Sequence, residues 1–340
     1  MFQCSTPILL LIFNRPDTTK KVFESIRSIR PQKLYIAADG PRRNKEGEVD
    51  LCNETRSIIS LVDWDCDVQT LFREENLGCA RAITGAIDWF FSFESEGIII
   101  EDDCVPSPAF YEFCQTLLTK YRDEPKVMMI SGYNQVSGEM NSDYDFHFSR
   151  WANIWGWATW KNRWELYDIS FKGWPKYRNV FSKDTYFNSN PEFREWMMYE
   201  YDLNYTIQDS KAWSWAWTYA LFSRDGLCVV PNKHLVNNVG DIGVHNNSTG
   251  SSPLLHIQTE NLDVSKLKCP QEIYPDIESD NIRISNYMHS NKKVLFCLHC
   301  GMIIRKLGLF PGHIKLHPLY IGEKLYHKYV NFRKRAMKLS

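Results

Sequence analysis

The stretch Gly97-Ile98-Ile99-Ile100-Glu101-Asp102-Asp103-Cys104-Val105-Pro106-Ser107-Pro108 decides how the chain folds. Three consecutive isoleucines read as a short strand buried on both faces, as in a parallel sheet. The strand ends in three carboxylates, which no strand keeps inside without a partner. Ser107 and Pro108 then read as the N-cap and first residue of an amphipathic helix over 109–121. The carboxylates therefore stand on the loop after a strand's carboxyl end, where open α/β sheets bind ligands. An all-oxygen donor set there suits a hard cation, Mg²⁺ or Mn²⁺, which in turn holds phosphates. The plainer alternative is a solvated acidic turn that also begins a helix favourably.

Strands and helices alternate around this point. Residues 7–13 (PILLLIF) form a first strand ended by Asn14-Arg15-Pro16, and Asp17-Thr18-Thr19 supplies the N-cap region of a helix reaching about residue 29. A second strand over 33–38 closes at Asp39-Gly40-Pro41-Arg42. A helix over 54–62, a third strand over 67–72 and a helix over 80–91 follow, the last entered through Glu75-Asn76-Leu77-Gly78. Beyond the central stretch come a strand over 127–131, a helix over 209–222 and a late strand over 226–231. This order predicts a doubly wound α/β domain with its strand-end loops along one edge. Three of those loops carry Arg15, Asp39 and the Glu101-Asp102-Asp103 triplet. Each alone is an ordinary loop residue; together they suit a nucleotide.

With 340 residues the chain can bury a sizeable core, and the alternation stops near residue 270. The expected division is a domain over 1–270 and a basic, partly helical appendage over 271–340. From 291 to 340 there are eleven Lys and Arg against one acid, Glu323, and the rest of the chain is correspondingly acidic. Ile321, Leu325, Tyr329 and Phe332 fall near one helical face among these cations. That pattern reads as a helix lying on an anionic membrane surface or docking on a partner. No run reaches the roughly 18 apolar residues that span a bilayer, and 7–13 reads as a strand rather than a signal peptide. Ten cysteines lack a framework spacing, and the one C-x-x-C, Cys297 to Cys300, has no second pair. They read as reduced thiols of a cytoplasmic protein.

Twelve Trp and seventeen Tyr are unusual, and they crowd between Phe146 and Tyr219. Trp151, Trp155, Trp157 and Trp160 do not hold one helical face, and Gly156 between two of them permits close backbone approach. Such rings either line a sugar site or staple the structure together. The glycine-rich loop over 237–247 carries one acid, Asp241, and one imidazole, His245, either a metal ligand or an ordinary hydrogen-bonded histidine.

In PILLLIFNR, Asp39, the Asn76-Leu77-Gly78 turn, IIIEDD with its Pro108-opened helix, SGYN at 131–134, WANIWGWATW, SWAW and NNVGDIGVH, the chain resembles a GT-A-type, nucleotide-sugar-dependent glycosyltransferase. It is similar to bacterial sugar transferases related to N-acetylglucosaminyltransferase I. The resemblance covers roughly residues 5–250 and omits the tail. It implies a Rossmann-like GT-A fold with a mostly parallel central sheet, a divalent metal (Mn²⁺ or Mg²⁺) and a UDP-sugar donor. Arg15 and Asp39 match base-contacting positions, Glu101 and Asp102 ribose-side acids, and Asp103 with His245 the metal site. Trp155, Gly156 and Trp157 would lie beside the donor. The implied reaction is an in-line displacement with inversion at the anomeric carbon, assisted by a carboxylate base. Where relatives place that base, this chain has Trp213-Ser214-Trp215-Ala216-Trp217, without an acid. Asp241 and Asp209 are the nearby candidates, with Asp241 preferred for its glycine neighbours.

The expected acceptor is a glycan or lipid-linked saccharide in bacterial surface polysaccharide assembly, at the cytoplasmic face of the plasma membrane; no nucleic-acid partner is expected. The rivals are a sugar-phosphate nucleotidyltransferase and a catalytically degenerate carbohydrate-binding protein. Against the first, Phe13-Asn14-Arg15-Pro16 offers no glycine-rich phosphate loop.

Overall fold

A computed structural model describes residues 3–136, 142–207, 213–240 and 255–290. In chain order these form β1 (Ile8–Ile12), α1 (Pro16–Ile29), β2 (Lys33–Ala38), α2 (Glu48–Arg56), β3 (Asp67–Phe72), α3 (Cys79–Phe93), β4 (Glu96–Glu101) and β5 (Cys104–Pro106). There follow α4 (Pro108–Tyr121), β6 (Val127–Ser131), β7 (Phe146–Ser149), β8 (Trp157–Trp160), α5 (Lys161–Trp164), α6 (Trp174–Phe181), α7 (Pro191–Ile207), α8 (Trp213–Phe222), β9 (Leu227–Pro231), β10 (Val236–Asn238) and α9 (Ile277–Ser290).

Eight strands make one sheet in the order β3-β2-β1-β4-β8-β6-β9-β7. Pairings among β3, β2, β1 and β4 are parallel, as is β6 with β9, while β8 runs antiparallel between β4 and β6. This is the Rossmann-like α/β architecture expected from the sequence. Helices cover both faces, so the apolar run of β1 alternates between two cores. Ile8, Leu10 and Ile12 pack with Val22, Phe23 and Ile26 of α1 and with Phe113 and Leu117 of α4. Leu9 and Leu11 pack with Ala86, Ile87 and Phe90 of α3 and with Trp213 and Trp217 of α8. The isoleucines divide likewise, Ile98 and Ile100 to the first core and Ile99 to the second.

Several local expectations are adjusted. The first helix starts at Pro16, with Arg15 rather than Asp17 at the N-cap, because proline's fixed φ presets the first turn. The helical stretch after β2 begins earlier, at Glu48, and ends in a 3₁₀ turn over Ser57–Leu61. The Trp-rich segment contributes a central strand, β8. Trp157 is fully buried, stacked on Trp213 at 5.8 Å and packed against Trp164 and Trp217. Its ring belongs to the core rather than to a sugar-lined wall, because an inner strand points alternate side chains into both layers.

The chain forms two compact units. The sheet unit holds the described residues up to 169 and those of 213–276. The second unit joins 170–207 with α9, which follows the sheet unit in sequence. Its core is aromatic: Trp174, Phe181, Phe187, Phe193 and Tyr201 are buried. Trp174 Nε1 and the Arg178 guanidinium donate to Asp202, and Asn190 Nδ2 donates to Asn281 Oδ1 at 2.7 Å. Among the described residues no helix is long and apolar enough to cross a membrane. The basic segment 291–340 lies outside the described residues.

Candidate functional site

Because β2 and β3 build out from one side of β1 and β4 from the other, the strand order reverses at β1. A crevice opens there at the carboxyl ends of the strands. It encloses about 270 Å³ and is lined by Phe13 and Arg15 after β1, Asp39 and Arg42 after β2, and Glu101 and Asp102 after β4. The three loops singled out in the sequence therefore converge.

Arg15 reaches from the N-cap of α1 across to the triplet. Its Nη1 lies 2.9 Å from Asp103 Oδ2 and its Nη2 3.2 Å from Asp102 Oδ1. Asp102 is buried and accepts a further bond from the Phe13 amide at 3.3 Å. Burial lifts the Asp102 carboxyl well above the usual carboxylate range; Arg15 opposes this and Asp103 reinforces it. Glu101 is lifted for the same first reason, with Asp103 and Asp102 adding to it. The Glu101 side chain lines the crevice with no hydrogen-bond or ion-pair partner among the described residues.

Asp39 is engaged differently. Its carboxylate accepts from the amides of Gly40, Leu77 and Gly78 and from Asn76 Nδ2, all at 3.0–3.2 Å. It thereby fixes the Asn76-Leu77-Gly78 turn that launches α3, which explains why that turn and Asp39 occur together. Trp155 stands apart from this crevice, its ring 4.6 Å from that of Tyr133. Gly156 has φ +65°, and a Cβ there would meet Val236 at 2.8 Å, so close approach serves β10.

Two features escape sequence reasoning. Glu48, buried under the loop after β2, accepts from the Arg42 amide (2.7 Å), the Arg42 guanidinium and Asn14 Nδ2 (2.9 Å). Arg42 holds its carboxyl below the usual carboxylate range. It joins the β1 and β2 loops, and Arg42 then lies over the Phe13 ring at 5.6 Å. In a run of mixed charges such as Arg-Arg-Asn-Lys-Glu-Gly-Glu nothing marks one acid as buried. The second feature is the two-stranded ribbon of β5 and β10, whose pairing of Cys104 with Asn238 brings Val239 and Gly240 to the triplet. The Val239 amide donates to the Asp103 carbonyl at 2.8 Å. A Cβ on Gly240 would lie 2.6 Å from Asp103 Oδ2. Glycine at 240 was visible in the sequence; its neighbour was not. Asp209, Asp241 and His245 lie outside the described residues.

Among the described residues no group of three His, Cys, Asp or Glu side chains is gathered to hold a metal. The residues nevertheless fit a Mg²⁺-like ion. Asp103 is a hard oxygen donor whose Oδ1 meets, among the described residues, only the weak Cys104 thiol donor at 3.5 Å, and such ions are held by one or two carboxylates plus ligand phosphates.

No family model matches this chain, and no curated protein matches it. Among solved structures it is similar to GalNAc-T7 with UDP, GalNAc and Mn²⁺, at 9% identity over 67% of this chain and 43% of that one, TM-score 0.39. It is also similar to the mannosyltransferase PcManGT from Pyrobaculum calidifontis in complex with GDP-Man and Mn²⁺, at 12% identity over 65% and 69%, TM-score 0.34. A UDP-glucose pyrophosphorylase complexed with UDP-glucose is similar at 11% identity over 47% and 78%, TM-score 0.29. Likeness this low, shared by transferases and a pyrophosphorylase, decides nothing about the reaction.

Proposed function

We propose that the chain is an inverting, metal-dependent glycosyltransferase that moves a sugar from a UDP-sugar to a glycan or lipid-linked acceptor. The observation that carries the reading is the convergence of Arg15, Glu101, Asp102 and Asp103 at the point where the strand order reverses, with Gly240 kept bare beside Asp103. In this reading the apolar floor of the crevice, with Leu11, Ala37 and Ala82, takes the base. The unpartnered Glu101 binds ribose hydroxyls, and Arg15 and Arg42 balance the diphosphate's charge. Asp103 would hold the divalent cation, with His245 as a second candidate ligand; that ion would supply electrostatic stabilisation of the leaving nucleoside diphosphate. Asp241, or failing it Asp209, would take the proton from the acceptor hydroxyl. The setting proposed is the cytoplasmic face of a bacterial plasma membrane during surface polysaccharide assembly, with the basic stretch 291–340 meeting anionic lipid.

A thermal-shift panel of nucleotide sugars with Mn²⁺ tests donor binding. A ligand at about 100 times its Kd stabilises the fold by roughly 2.7 kcal/mol. Asp103→Asn is expected to remove that stabilisation and the transfer activity while leaving the unliganded fold intact. Release of nucleoside diphosphate supports the reading, and release of pyrophosphate would move it to a sugar-phosphate nucleotidyltransferase. Stabilisation by glycans without any nucleotide effect would leave a carbohydrate-binding protein.

A further inference from the structure

The guanidinium of Arg15 holds Asp103, the carboxylate that a divalent cation would use, together with Asp102 beside it. One arm is 2.9 Å from Asp103 Oδ2 and the other 3.2 Å from Asp102 Oδ1. Gly240 flanks Oδ2 as well, where a Cβ would lie 2.6 Å away. Among the described residues the other oxygen, Oδ1, meets only the weak Cys104 thiol donor at 3.5 Å. A doubly charged ion on either oxygen of Asp103 would thus meet the Arg15 guanidinium within a few ångström where it now stands. Repulsion at that range is strong in a partly buried site. Yet Arg15 is not locked in place. Its side chain remains 34% exposed, and it projects from the N-cap residue of α1 into the crevice.

We propose that Arg15 and the divalent cation compete for Asp103. Arg15 serves as a built-in counter-ion for the acidic loop, and it yields when the cation arrives together with a diphosphate. Its freed N–H groups then turn to the diphosphate oxygens, for which a guanidinium is well suited. Metal and nucleotide therefore bind with positive coupling, each weak alone, because either one by itself leaves a like or unpaired charge in the crevice. The inference rests on the glycosyltransferase reading for the identity of the two ligands. The competition itself follows from the ion pairs.

The test is Mn²⁺ binding followed by the electron paramagnetic resonance signal of the free ion, with and without UDP, for the wild-type chain and Arg15→Gln. Melting curves check that each variant is folded. Expected for Arg15→Gln is Mn²⁺ binding at least about tenfold tighter in the absence of UDP, since a nearby positive charge is gone. UDP affinity at saturating Mn²⁺ is expected to fall by about tenfold or more, so that the coupling between the ligands shrinks. A residue that merely braces the loop would move both affinities downward. Arg15→Lys keeps the charge and is expected to keep weak Mn²⁺ binding; it also separates charge from packing should Arg15→Gln fold poorly. Mn²⁺ affinity that is unchanged or weaker in folded Arg15→Gln overturns the competition while leaving the transferase reading untouched. If neither chain binds Mn²⁺ at millimolar concentration even with UDP, the metal reading fails and the competition falls with it.

Discussion

Gly240 and Asp103 touch across the β5–β10 ribbon so closely that a methyl group on residue 240 would lie 2.6 Å from the Asp103 carboxylate. The glycine is not there for an unusual backbone angle, since its φ lies outside the left-handed region. It is there for space. Gly240→Ala is therefore expected to displace Asp103 and to weaken Mn²⁺-dependent UDP binding by about tenfold or more. The stability cost should be that of modest overpacking, about 1–3 kcal/mol. Calorimetric titration with UDP and Mn²⁺, beside a melting curve, separates the two effects. Unaltered UDP affinity would show that Asp103 does not need the room.

Glu101 makes stability depend on pH. Its carboxyl is raised from the ordinary 4.5 to about 8, first by burial and then by Asp103 and Asp102. Between those values the folded chain holds a proton that the unfolded chain has lost. Stability is therefore expected to fall as pH rises from about 4.5 to about 8, by linkage. Glu101→Gln, which cannot ionise, should lessen that slope, leaving the share due to the likewise raised Asp102, and be relatively most stabilising near pH 8. Urea melts of both chains at pH 5, 6.5 and 8 give the comparison; parallel profiles would mean that Glu101 ionises without penalty.

Glu48 ties two loops of the crevice together through Arg42 and Asn14. Arg42 is 40% exposed, so water rescues part of what a cut would cost. Glu48→Ala is expected to destabilise by about 2 kcal/mol, mostly from the donors left without an acceptor. Glu48→Gln should recover part of this. If UDP affinity falls with Glu48→Ala and recovers with Glu48→Gln, the tie presets the crevice; a change in melting temperature alone would make it scaffolding.

The general base is expected to be Asp241. Asp241→Asn should lower kcat by about 10²–10⁴ with donor binding little changed. If that variant turns over normally and Asp209→Asn does not, the role passes to Asp209. Transfer assays on the two single variants decide between them, and normal rates in both would place the base elsewhere.

The sheet was legible because burial on both faces leaves a simple mark, the unbroken apolar runs of β1 and β4. The triplet at the end of β4 and Arg15 at the end of β1 were legible for a related reason. Polar residues that abruptly stop such a run must face a strand-end crevice. Trp157 was misread because an aromatic ring suits a core as well as a sugar, and only its place in an inner strand decides. The ribbon of β5 and β10 was hidden by its length, three residues each, too short for periodicity to show. Glu48 was hidden because a buried ion pair and a solvated charge run are spelled with the same letters.

The second unit carries a consequence for how the chain is made. Its residues 170–207 find part of their core in α9, and the bond from Asn190 to Asn281 spans 91 residues of chain. A ribosome adding roughly 5–20 residues each second reaches α9 several seconds after finishing this segment. Throughout that interval Asn190, and Tyr186 whose hydroxyl donates to Asp280, lack their α9 partners. The order of segments along the chain thus sets a delay in translation, and the rate of elongation between positions 208 and 277 sets how long it lasts.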